Sequence, residues 1–133
     1  MKYPVYYFSG TSDLPFAYAR LGKIHIAIEL AQFLEERELA AVIAHEEAHL
    51  ARQHWLSWML ASALNRVGFA RLSAWLNHRA EFAADAYAVK HGHGLALQRT
   101  LAITTNPAMM DVADWTHPSA NERRRRISEL CDG

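Results

Sequence analysis

Two histidines spaced for a helix carry the chemistry of this chain: His45-Glu46-Glu47-Ala48-His49. On a helix, residues four apart point the same way, one turn from each other. Two imidazoles on one face can share a metal ion, and the Glu beside the first can reach a water on that ion. A zinc ion that does chemistry takes three protein ligands and keeps one position open. The third ligand must therefore come from elsewhere, and Arg79-Ala80-Glu81-Phe82-Ala83-Ala84-Asp85 is the strongest source. Glu81 and Asp85 are again four apart, and both sit among Ala and Phe. The plainer reading of that segment is a solvated acidic face with Arg79 as a surface partner.

The other histidines read more simply. His54 suits the end of the motif helix as a partner for its dipole. His25, His78, His91 and His93 read as surface residues.

These side chains need elements to hold them. Tyr3 to Phe8 is aromatic and β-branched and ends in the turn residues Ser9-Gly10-Thr11-Ser12-Asp13, so it reads as a strand. Phe16 to Arg20 reads as a second short strand, turning at Leu21-Gly22. Lys23 to Glu29 alternates, with Ile24, Ile26 and Ile28 on one face, and is the clearest strand. Leu30 to Leu34 reads as a helical turn. The motif helix is expected from about Glu35 to His54. Glu35, Glu36 and Glu38 lie near its positive end, Arg52 and His54 near its negative end. Leu39, Val42, Ile43 and Leu50 form its buried face, with the metal face offset.

Trp55 to Asn77 is helical in period but broken around Asn65 to Gly68, which predicts a hairpin. His78 to His91 predicts another helix with an apolar stripe of Phe82, Ala86 and Val89, closed by Gly92. Gly94 to Thr105 predicts a helix that stops before Asn106-Pro107. A loop runs through Thr116-His117-Pro118. Ser119 to Glu122 is a capping box opening a last helix, Ala120 to about Leu130.

The chain has 133 residues, 51% of them apolar and 21% charged, which suits one globular domain over 1–133. Its formal net charge is zero, which argues against nucleic acid as the main partner. Cys131 is the single cysteine, so no internal disulfide forms. The first residues do not read as a signal peptide. No apolar run approaches the ~18 residues of a transmembrane segment. A cytoplasmic location is the expectation. Arg123 to Arg126 reads as a solvated face, with one Arg pinning the Thr-His-Pro loop.

On these motifs the sequence resembles the gluzincin metallopeptidases of the HtpX and CAAX-prenyl-protease type. Their pattern is the H-E-x-x-H helix, a later helix with E-x-x-A-D, and a T-H-P segment followed by Arg. Here these are His45 to His49, Glu81 to Asp85, and Thr116-His117-Pro118 with Arg123 and Arg126 behind. The likeness runs from about Leu14 to Leu130. Short members without membrane helices are called minigluzincins, and the length matches them. The BlaR-type sensor peptidases share similar motifs. The chain departs from the family at Leu14-Pro15-Phe16-Ala17-Tyr18, where Asn-Ala-Phe-Ala is usual. It also departs in lacking the membrane helices of the larger members.

The resemblance implies a zincin-like fold and a role for each residue. His45, His49 and Glu81 hold one zinc ion per chain, Glu46 is the general base, and Asp85 accepts the free ring N–H of a ligand His. The expected fold is α+β and mostly helical, with a small N-terminal antiparallel or mixed sheet of about three strands packed on the motif helix. The expected activity is zinc-dependent endopeptidase action on a peptide or protein substrate. His117, Tyr87 and Tyr18 are candidate donors to the oxyanion, His117 being favoured. The substrate is expected to add as a strand along Lys23 to Glu29, with Ile24, Ile26 and Ile28. Two rival readings stand beside this one. The first is a catalytically silent zinc-binding domain, held latent by its own C-terminal segment or used as a regulator; a lone terminal cysteine is usually incidental, but the Cys131 thiolate is a candidate to block the zinc. The second is a helical interaction or membrane-surface module using Trp55, Trp58, Leu60 and Leu64.

Overall fold

The computed structural model of the chain describes residues 3–9 and 17–132. The expected turn at 10–13, the departure at Leu14-Pro15-Phe16 and the Phe16 start of the second strand lie outside them. Three short strands form a mixed sheet: β1 (Val5–Phe8), β2 (Ala17–Arg20) and β3 (Lys23–Ala27). β2 and β3 make a hairpin whose two turn residues, Leu21 and Gly22, both have positive φ (51° and 74°), as a tight primed turn requires. β1 then pairs parallel to β3 from the other side, giving the order β1-β3-β2.

That order corrects one expectation. β3 is the central strand, hydrogen-bonded on both sides, so its backbone has nothing to offer an added peptide. Ile24 and Ile26 are fully buried core residues, and Ile28 is the first residue of a helix, half-exposed and outside the strand. The free edges among the described strands are β1 and β2.

Among the described residues six α-helices follow, so the chain is mostly helical with a small sheet, as expected: α1 (Ile28–Phe33), α2 (Glu36–Ala51), α3 (His54–Arg66), α4 (Ala70–Lys90), α5 (Gly94–Thr104) and α6 (Ala120–Asp132). α2 carries the motif. Its N-terminus closes with reciprocal hydrogen bonds between Glu35 and Glu38, a capping box built from two acids. It ends three residues earlier than the sequence suggests, because Gln53 takes the left-handed conformation (φ 52°) and sends the chain back as α3. His54 therefore opens α3 and does not close α2.

The buried face of α2 also differs from expectation. Ala41, Ala44, His45, Glu46 and Ala48 are buried, whereas Leu39, Val42, Ile43 and Leu50 are only half-buried. The small alanines let neighbouring helices come close; Ala41 and Ala44 share one core cluster with Ala88 of α4, Leu97 and Leu101 of α5, and Ile127 of α6. The metal-motif face and the buried face are thus one face. α4 is a single helix of 21 residues, where two were expected. Asn77 and His78 do not break it, and no Gly or Pro intervenes between Gly68 and Gly92. Among the described residues, no helix is long and apolar enough to cross a membrane.

Candidate metal centre

α2 and α4 lie side by side, which brings Glu81 against the two motif imidazoles. Nε2 of His45 is 3.1 Å from Nε2 of His49 and 3.3 Å from Oε2 of Glu81. Nε2 of His49 is 3.0 Å from Oε1 of Glu81. Ligand atoms around a tetrahedral zinc, each bonded at about 2.0–2.1 Å, stand about 3.3–3.4 Å apart. Each Nε2 of the triangle meets a different oxygen of the Glu81 carboxylate at about that distance, and one ligand atom from each of the three residues lies within 4.8 Å of the others. The donor set, two imidazoles and one carboxylate, is one that zinc takes in catalytic sites.

The ring nitrogens facing away from the triangle are also engaged. Nδ1–H of His45 donates to Oδ1 of Asp85 at 2.9 Å, so that in the neutral ring Nε2 carries the lone pair. Asp85 is in turn gripped by Arg123 of α6, Nε to Oδ2 at 2.8 Å and Nη2 to Oδ1 at 2.7 Å. Nη1 of Arg123 also comes within 3.8 Å of Glu81. On the other imidazole, Nδ1–H of His49 donates to Nδ1 of His54 at 2.7 Å. The turn at Gln53 makes that contact possible.

The electrostatics follow from this packing. Burial works against charge on His45, but the Glu81 carboxylate and the Asp85 hydrogen bond outweigh it and lift its pKa to about 10. Burial works to raise Glu81, yet His45, His49 and Arg123 hold it well below the usual carboxylate range. Burial likewise opposes the Asp85 charge, and the Arg123 fork overcomes it and lowers the pKa. Burial raises the pKa of Glu46 despite the pull of His45 and His49. Burial and the neighbouring His49 push His54 down to about 4, which keeps it neutral. The cluster as a whole is built to surround a positive charge.

A cleft of about 230 Å³ opens beside the triangle. Glu46, His117 and Arg123 line it, together with Ala17 of β2 and Leu97 and Leu101 of α5. Of the three oxyanion candidates, His117 faces this cleft. Tyr18 stacks on His25, ring centroids 4.7 Å apart, on the sheet face opposite Ile24 and Ile26. Tyr87 stacks on His91 at 4.2 Å. Nδ1 of His117 meets the Thr116 hydroxyl at 2.6 Å, and the side chain of Asp114 accepts the backbone N–H of both Thr116 and His117. The loop is pinned by α4, through Asn77 Nδ2 to the Trp115 carbonyl (3.0 Å) and His78 Nε2 to the Asp114 carbonyl (2.7 Å). The expectation that an Arg pins it is thus corrected.

Two of these roles escape a reading of the sequence alone. His54 depends on a left-handed Gln, which carries no turn signature. Arg123 did leave a signal: it falls on the same helical stripe as the buried Ala120 and Ile127, where a charge must find a buried partner. Of its neighbours, Arg125 pairs with Glu129 and Arg126 with Glu122, as a solvated face should. Self-inhibition by Cys131 finds no support: the residue is exposed and lies beside Gly94, about 12 Å along α6 from Arg123.

A family model described as peptidase family M48 matches residues 1–74. The matched stretch contains His45, Glu46, His49 and His54 and stops before Glu81. No curated protein and no solved structure matches the chain.

Proposed function

The chain belongs to peptidase family M48, and on that premise we propose that it is a zinc-dependent endopeptidase with Glu46 as its general base. The observation that carries the reading is the convergence of His45, His49 and Glu81, with His45, Glu81 and Glu46 lining one cleft. In this reading those three residues hold one zinc ion. Bound there, zinc supplies a Lewis acid that polarises a carbonyl and lowers the pKa of water.

The chain's own groups do the rest. Glu46, with its carboxyl pKa raised by burial, takes the proton of the attacking water and returns it to the leaving amine; a raised pKa makes the carboxylate a better base for the first step. Asp85 and His54 hold the two imidazoles in the tautomer that leaves Nε2 free. His117 donates to the oxyanion that develops on the substrate. The peptide lies along the free edge of β2, since Ala17 borders the cleft and β3 is already paired.

The test is a digest of casein or a peptide library with purified protein of measured zinc content, run with and without chelator. Glu46→Gln should keep its zinc and lose about 10²–10⁴-fold in rate. Undiminished cleavage by that variant removes Glu46 as the base.

A further inference from the structure

Among the described residues α3 packs chiefly on α4, with a smaller contact to α2. Its inner face is satisfied, with Ala61 fully buried and its carbonyl accepting from the Ser73 hydroxyl at 2.7 Å. Its outer face is apolar and bare. Trp55, Leu56, Trp58, Met59 and Leu60 are each 50–58% exposed. The patch continues across the hairpin through Val67 and Phe69 to Leu72 and Trp75 of α4. Single exposed apolar side chains are ordinary, but nine on one hairpin, three of them Trp, mark an interaction surface.

Charge identifies what covers it. Between Glu47 and Glu81 there is no Asp or Glu, while Arg52, Arg66, Arg71 and Arg79 are all exposed. None of the four has a carboxylate partner among the described residues, and Arg79 lies over the Trp75 ring at 5.2 Å. The hairpin surface is therefore apolar, and the charges the hairpin itself puts at its rim are cationic. A second copy of the same surface would bring like charges together. A surface with an apolar interior and anionic headgroups complements both features.

Length decides the mode. The 13 residues of α3 extend only about 20 Å, short of the ~30 Å hydrocarbon core, so the helix can lie in a membrane interface but cannot cross it. Indole rings favour that interface. We propose that α3 and the first half of α4 form a docking surface for membranes rich in anionic lipid. This goes beyond the peptidase reading and does not depend on it.

The experiment is flotation of the full chain with phosphatidylcholine vesicles, with and without phosphatidylglycerol, while following Trp emission. The expected result is flotation and a blue shift with the anionic vesicles only, weakened by salt. Arg66→Glu with Arg71→Glu, and separately Trp55→Ser with Trp58→Ser, should each weaken binding tenfold or more while circular dichroism shows the helices intact. Chelator and Glu46→Gln should leave binding unchanged, so a failure of the peptidase reading is told apart from a failure of this one. Equal binding to both vesicles, or to neither, overturns the proposal. So does a stable dimer in solution that the Trp substitutions dissolve.

Discussion

The guanidinium of Arg123 and the carboxylate of Asp85 meet as a two-pronged fork, at 2.7 and 2.8 Å, across 38 positions of sequence. The same Asp85 Oδ1 takes the His45 ring N–H at 2.9 Å, so α6 reaches the candidate metal centre through one intermediate side chain. The side chains of Arg123 and Asp85 are 12% and 3% exposed, so neither charge can be rescued by water if the other is removed. Arg123→Ala should therefore cost about 3–5 kcal/mol of stability, read from urea unfolding. Arg123→Lys should recover part of it, having charge without the fork.

His54 and His49 are joined by a 2.7 Å hydrogen bond, and His54 stays neutral because burial and His49 hold its pKa near 4. In the proposed function its part is to orient the His49 imidazole. Removing such a partner typically costs 10–100-fold in metal affinity. His54→Ala should weaken zinc binding by about that factor in a competition with a chromophoric chelator, with unchanged circular dichroism. Unaltered affinity would show that His49 needs no support.

Zinc should displace a proton from His45. In the metal-free protein the Glu81 and Asp85 carboxylates overcome burial and hold that proton up to about pH 10. A metal ion accepts only the neutral ring, so binding at any pH between about 6.5 and 10 must release it. Calorimetry in buffers of different ionisation enthalpy should report about one proton released per zinc at pH 8. An enthalpy independent of buffer contradicts this.

Glu81→Ala should cut zinc affinity far more than Asp85→Ala does. Glu81 puts Oε1 3.0 Å from the His49 ring and Oε2 3.3 Å from the His45 ring, whereas Asp85 touches the ring nitrogen that faces away. Metal content of the dialysed variants decides it. Full occupancy in Glu81→Ala means the third ligand lies elsewhere.

His117 lines the cleft while its Nδ1 is engaged by Thr116, which leaves Nε2 for a substrate. His117→Ala should retain zinc and lose about 10²–10³-fold in kcat with little change in KM, as the loss of an oxyanion donor does. Loss of zinc in that variant would give His117 a different role.

What the sequence determined by itself is local. Four-residue spacing puts His45 beside His49 and Glu81 near Asp85 on any helix, because the 3.6-residue turn is a property of the backbone. The α3–α4 break, the left-handed Gly92 and the cap at Ser119 were likewise legible from residues that favour those conformations. The mixed three-strand sheet was legible in outline from alternation and turn residues.

The tertiary structure alone decided which strand is central, which face of α2 is buried, and where Arg123 and His54 point. Strand order depends on long-range pairing, and alternation reads the same in an edge strand as in a middle one. The face of α2 was settled by alanines, whose small size counts only when another helix approaches. Gln53 adopts a conformation its own chemistry disfavours because packing around His54 and α3 outweighs about 1–2 kcal/mol of local strain. Contacts spanning 38 residues, as between Asp85 and Arg123, have no period for a sequence to display.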